Sequence, residues 1–119
     1  MNAAAVAPEG VAGVFEMPVR ATGREPGRLF LNSEHDYRDQ RCLTIVVSPE
    51  VERQLAVRLG DDVERRLMGS MIAVRGTARR VRIDFIGTDG QPTGKYYYRT
   101  NLQLRSADDL TVVGEAPRA

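Results

Sequence analysis

At 119 residues the chain has the length of one compact domain and falls short of two. With 42% apolar and 28% charged residues it has the composition neither of a disordered chain nor of a membrane protein, and every apolar run ends well before the roughly 18 residues of a spanning helix. A formal net charge of +1 gives no global argument for nucleic acid, so any basic surface must be local.

The opening stretch from Met1 to Gly10 is Ala-rich and lacks the cationic start and long apolar segment of a secretory signal. It reads as a flexible leader and favours a cytoplasmic location, although a mature exported protein begins in much the same way. From Val11 to Gly23, Phe15, Met17, Val19 and Ala21 alternate with Glu16, Pro18, Arg20 and Thr22, the period-2 pattern of a half-buried first strand. Pro18 has no amide donor and belongs at a bend or on an unpaired side. The turn-rich stretch Gly23 to Gly27 leads into a second strand over Arg28 to Asn32.

After a polar loop, Arg41 to Val47 is rich in β-branched residues and predicts a third strand. Ser48-Pro49-Glu50 supplies an N-cap, a proline at the first helical position and an acidic first turn. Val51, Leu55 and Leu59 then set an apolar stripe, with Gly60 as the stop. Asp61 or Asp62 caps a further helical turn that buries Val63 and Leu67. Met71 to Ile86 predicts a long fourth strand whose apolar phase changes from Ile72, Val74 and Ala78 to Val81, Ile83 and Phe85, which suggests a bulge near Arg79 and Arg80 or a bend. A loop from Gly87 to Gly94 returns into a fifth strand over Lys95 to Arg105, with Tyr96, Tyr98, Leu102 and Leu104 on the core side and Lys95, Tyr97 and Arg99 facing out. The apolar run Leu110 to Val113 suggests a short closing strand, and residues 114–119 read as a tail.

The order β-β-β-α-β-β is that of a mainly β, five-stranded Greek-key barrel with one helix between strands three and four, here with a long hairpin made of the last two strands. The stretch Leu29-Phe30-Leu31-Asn32-Ser33-Glu34-His35-Asp36-Tyr37-Arg38-Asp39, followed by Leu43-Thr44-Ile45-Val46-Val47, resembles strands two and three of small bacterial OB-fold proteins of the nucleic-acid-binding superfamily. Met71-Ile72-Ala73-Val74-Arg75-Gly76-Thr77-Ala78 resembles their fourth strand. The likeness spans Val11 to Val113 and marks fold more than activity, because OB domains also bind proteins and sugars. Strand one lacks the usual Gly-Lys start.

Catalytic templates find little to attach to. Cys42 is the sole cysteine, which excludes an internal disulfide and a CxxC framework. The sole histidine, His35, lies among Glu34, Asp36 and Asp39, yet the spacing is not that of a calcium loop, and carboxylates in such a turn ordinarily cap backbone amides. A metal-dependent nuclease built on an OB barrel would need several clustered carboxylates, and Asp84 beside Arg82 stands nearly alone. The expectation is a non-enzymatic chain without cofactor or metal.

The charge distribution points elsewhere. Between Met68 and Arg105 seven basic residues stand against Asp84 and Asp89. Lys95, Tyr97 and Arg99, extended by Arg75, Arg79, Arg80 and Arg82 on the neighbouring strand, would combine phosphate-tracking charge with a stacking ring, the pattern of single-stranded DNA or RNA binding. The usual OB ligand surface adds Arg24, Arg28, Phe30, Tyr37, Arg38 and Arg41, with Tyr37 and Arg38 also readable as a loop anchor. The competing expectation is a solvated strand face on a protein-interaction or assembly module that forms homo- or hetero-oligomers through exposed strand edges.

Overall fold

A computed structural model describes residues 10–117. The expected leader, up to residue 9, and the last two residues of the expected tail lie outside the described residues. The elements in chain order are β1 (Val11–Pro18), β2 (Ala21–Glu25), β3 (Arg28–Asn32), β4 (Leu43–Val47), α1 (Pro49–Leu59), α2 (Val63–Leu67), β5 (Ser70–Ile86), β6 (Pro92–Leu104), a 3-10 turn (Ala107–Asp109) and β7 (Leu110–Glu115).

The chain is mainly β, with seven strands among the described residues instead of the five expected. One extra strand comes from a break in the first. Pro18 offers no N–H to a ladder, and the next two residues turn a corner. Val19 donates to Ser70 O at 2.8 Å and accepts from Gly69 N at 2.9 Å, whereas Arg20 donates to Asn32 O at 3.0 Å. The chain thus leaves β5 and joins β3 within two residues. The other is β7, the short closing strand expected over Leu110 to Val113, which pairs with β5 and extends to Glu115.

The sheet runs β1-β5-β6-β4-β3-β2, antiparallel throughout except for the parallel β4–β6 pair. Its two ends, β1 and β2, are joined only by Val19 and Arg20, so the sheet curls back on itself. The concave side holds the core, in which Leu29, Leu31, Ile45, Val47, Ile72, Val74, Leu102 and Leu104 meet Val51 and Leu55 from α1 and Val63 and Leu67 from α2. Each large apolar side chain removed from water there contributes about 1.5–3 kcal/mol.

The helices start where the sequence predicts. Ser48 accepts from Val51 N at 3.3 Å, Asp62 accepts from Arg65 N at 3.2 Å, and Gly60 ends α1 at φ 102°, a left-handed conformation that favours glycine. Polar clamps then fasten the helices. Arg58 Nη2 reaches Ala107 O and Leu110 O at 2.8 and 2.7 Å, and Ala107 N donates to Gln54 Oε1 at 3.1 Å. On the other side Arg24 ion-pairs with Glu52 at 2.6 Å and Glu64 at 2.9 Å, while Thr22 donates to Glu64 Oε2 at 2.5 Å.

The phase change along β5 has a cause other than the expected bulge near Arg79 and Arg80. Pairing with β6 is unbroken from Ala78↔Leu102 to Asp84↔Tyr96, and the register shifts only between Asp84 and Ile86. What switches is the covered face. Through Ala78 the even positions pack into the core; beyond it β5 runs past the core and past its pairing with β1, and Val81 and Ile83 line a groove on the outer side. No helix is long and apolar enough to cross a membrane among the described residues.

Candidate nucleic-acid interface

The groove lies on the convex side of the sheet, spanning β2, β3, β6 and β5, and encloses about 780 Å³. Strand alternation builds it. Leu29 and Leu31 point into the core, so Phe30 between them faces out; Leu102 and Leu104 do the same for Tyr97, Arg99 and Asn101. Val81 and Ile83, paired with Arg99 and Tyr97, complete an apolar floor.

An aromatic strip runs along this surface. Tyr97 meets Phe85 at 5.2 Å between ring centroids and Tyr37 at 6.1 Å. Phe85 is 37% and Tyr37 48% exposed, so the outer rings are open to solvent while the central one is half-buried. That burial is the main cause pushing the Tyr97 hydroxyl above its ordinary range, with the nearby Arg99 charge opposing it. Cations flank the strip. The Arg38 guanidinium lies 5.9 Å from the Tyr37 ring centre, and Arg28 and Arg99 bracket Phe30 at 5.8 and 5.5 Å. Arg99 is further oriented by its Nε–H, which donates to Asn101 Oδ1 at 3.0 Å.

The residues expected to bind fall into separate places. Arg28, Phe30, Tyr37, Tyr97 and Arg99 converge on the groove, with Arg38 over the Tyr37 ring and Lys95 on the same face of β6. Arg24 also borders the groove, but its guanidinium is held by Glu52 and Glu64, whose hydrogen bonds push its already high pKa further up. Arg38 and Arg41 are tied to Asp36 and Asp39, which these contacts hold below the usual carboxylate range. Arg79 stands opposite Asn101 at the groove's edge, and Arg75 stands opposite Val14 of β1, roughly 20 Å along the strand from Val81.

Two expectations need correction. Arg80 and Arg82 do not extend the surface of Tyr97 and Arg99, because their even positions put them on the opposite face of the hairpin. Tyr96 and Tyr98 share the core's phase but not its burial: they are 49% and 37% exposed, since the hairpin outruns the core past Thr100. Arg82 lies 4.2 Å from the Tyr96 ring centre and Arg80 4.6 Å from that of Tyr98.

Val81, Ile83, Asn32 and Asn101 belong to the groove and were not singled out by the sequence. Among the described residues no three His, Cys, Asp or Glu side chains gather as a metal would require. His35 lines the groove without such company.

No protein-family model and no curated protein matches the sequence. Among solved structures the chain is similar to part of the aspartyl tRNA synthetase from Entamoeba histolytica, with a TM-score of 0.49 and 13% identity over 94% of this chain and 20% of that one. A likeness this distant carries no argument for fold family or activity.

Proposed function

We propose that the protein is a non-catalytic, OB-type domain that binds single-stranded DNA or RNA in the outer groove with low sequence specificity. Support for the OB reading comes from topology: β1 and β2 act as two halves of one strand, and the circuit then passes through β3, β4, β6 and β5 with the parallel β4–β6 step. The observation that carries the ligand is the Phe85–Tyr97–Tyr37 strip flanked by Arg28, Arg38, Lys95 and Arg99. Every base has a face that can stack on such rings, and phosphates find the flanking cations, so recognition tolerates sequence.

Anisotropy titration of labelled oligonucleotides at about 50 mM salt tests this, with affinity expected to fall steeply toward about 200 mM. Tyr97→Ala and Arg99→Ala should each weaken binding by roughly tenfold. Arg24→Ala should weaken it less than Arg99→Ala, because that guanidinium is committed to two carboxylates. Absence of binding to single strands at low salt refutes the proposal.

A second reading, a protein-assembly module, draws on the hairpin edges. β4 pairs only with the Thr100–Leu104 part of β6, and β1 only with the Met71–Ala78 part of β5, so the hairpin tip has no strand beside it among the described residues. Such edges accept added strands. Light scattering showing concentration-dependent mass, with indifference to oligonucleotides, would favour this reading.

A further inference from the structure

The hairpin carries a second aromatic and cationic surface on the side away from the groove. Along its even positions the core residues Leu104 and Leu102 give way, past Thr100, to Tyr98 and Tyr96, each beneath a guanidinium from β5. The two rings meet edge to face at 5.6 Å between centroids. The stack is thus a short ladder held by its own contacts, with rings half open to solvent. Arg82 is also oriented by Asp84 at 3.1 Å, whereas Arg80 has no carboxylate partner among the described residues.

We propose that this ladder is a second contact surface for the same single-stranded nucleic acid, taken up by the part of the strand that leaves the groove. The inference rests on the groove reading and extends it. Tyr97 and its two neighbours alternate across one strand, so the two surfaces are back to back on a ribbon whose strands lie about 5 Å apart. Passing from one to the other requires the strand only to turn over the hairpin's open edge. Exposed tyrosines with aligned guanidinium groups suit bases and phosphates together, and the charge there matches a polyanion. A strand engaged on both faces would wrap the hairpin and occupy more nucleotides than the groove alone.

Binding isotherms of two oligothymidylates, roughly six and roughly sixteen nucleotides long, separate the surfaces. Tyr96→Ala/Tyr98→Ala is expected to weaken the longer ligand by at least about tenfold and to leave the shorter one within about twofold. Because replacing the rings also frees the guanidinium groups, Arg80→Gln/Arg82→Gln, which keeps the rings, should reproduce the length-selective loss together with a smaller salt dependence for the longer ligand. Melting curves of both variants confirm that the fold is retained. Unchanged affinity for the longer ligand in both variants overturns the inference while the groove reading stands. Equal loss for both lengths also overturns it, because the ladder would then be part of one short site. If neither ligand binds the parent protein, both proposals fail.

Discussion

Replacing Gly76 with alanine should destabilise the protein, and the size of the effect follows from local geometry. Gly76 sits on the even, core-facing side of β5, and a Cβ placed there would lie 2.8 Å from Leu102 Cδ2 and 3.1 Å from Cγ. Carbon atoms attract best at about 3.5–4.0 Å, so the new methyl would enter the repulsive wall by nearly 1 Å. Leu102 has no exposed surface into which it can retreat and packs within the central cluster. Overpacking of this kind costs about 1–3 kcal/mol, or a melting temperature lower by about 4 °C for each kcal/mol in a domain of this size. Gly23→Ala provides the control: no atom lies within 4 Å of its added Cβ and its backbone is not left-handed, so it should be neutral or slightly stabilising.

Thermal and denaturant unfolding would measure both. A double-mutant cycle with Leu102→Ala, which alone costs about 2–5 kcal/mol, should show coupling of about 0.5–3 kcal/mol, because the shortened side chain relieves the clash. If Gly76→Ala melts with the parent, or its loss adds fully to that of Leu102→Ala, the packing assigned to this face is wrong.

Two further outcomes concern the polar contacts that hold the helices. The Glu64 carboxyl is held below its ordinary range, first by the Thr22 hydroxyl and also by Arg24. Its contribution is therefore present above the ordinary carboxylate pKa and lost as pH falls through the depressed folded value; Glu64→Gln should flatten that part of the melting-temperature profile by about 1 kcal/mol or less, given the clamp's exposure, and an unchanged profile would show that the clamp is energetically silent. Ser48→Ala removes the acceptor that Val51 N uses at the start of α1 and should lower stability by about 0.5–2 kcal/mol in urea unfolding, whereas no loss would mean that solvent replaces the cap.

Most of the element order was legible because it depends on short-range chemistry. Ser48-Pro49-Glu50, Gly60 and the alternation of Leu29, Leu31, Leu102 and Leu104 each carry a local signal. The seven-strand division was not, because the corner at Val19 and Arg20 depends on partners at Gly69, Ser70 and Asn32 that are distant in sequence. The groove was half legible. Tyr97 and Arg99 were placed outward by parity, whereas the opposition of Phe30 to Leu29 and Leu31 left open which face looks outward or whether both are covered, and the strand is covered on both sides, with Phe30 8% exposed. Parity alone assigned Tyr96 and Tyr98 to the core, since alternation reports which face a residue is on and not where the core ends. The apolar phase change at 81, 83 and 85 was read as a bulge or a bend for the same reason, whereas Val81 and Ile83 record a groove on the other face.

The central claim is that a single strand occupies the outer groove. Backbone amide chemical shifts recorded during addition of an oligothymidylate of roughly six nucleotides test it most directly. The largest changes are expected at Phe30, Tyr37, Ile83, Tyr97, Arg99 and Asn101, with Val51, Leu55 and the rest of α1 unmoved. Changes confined to α1, α2 or β7, or none at saturating ligand, would contradict it.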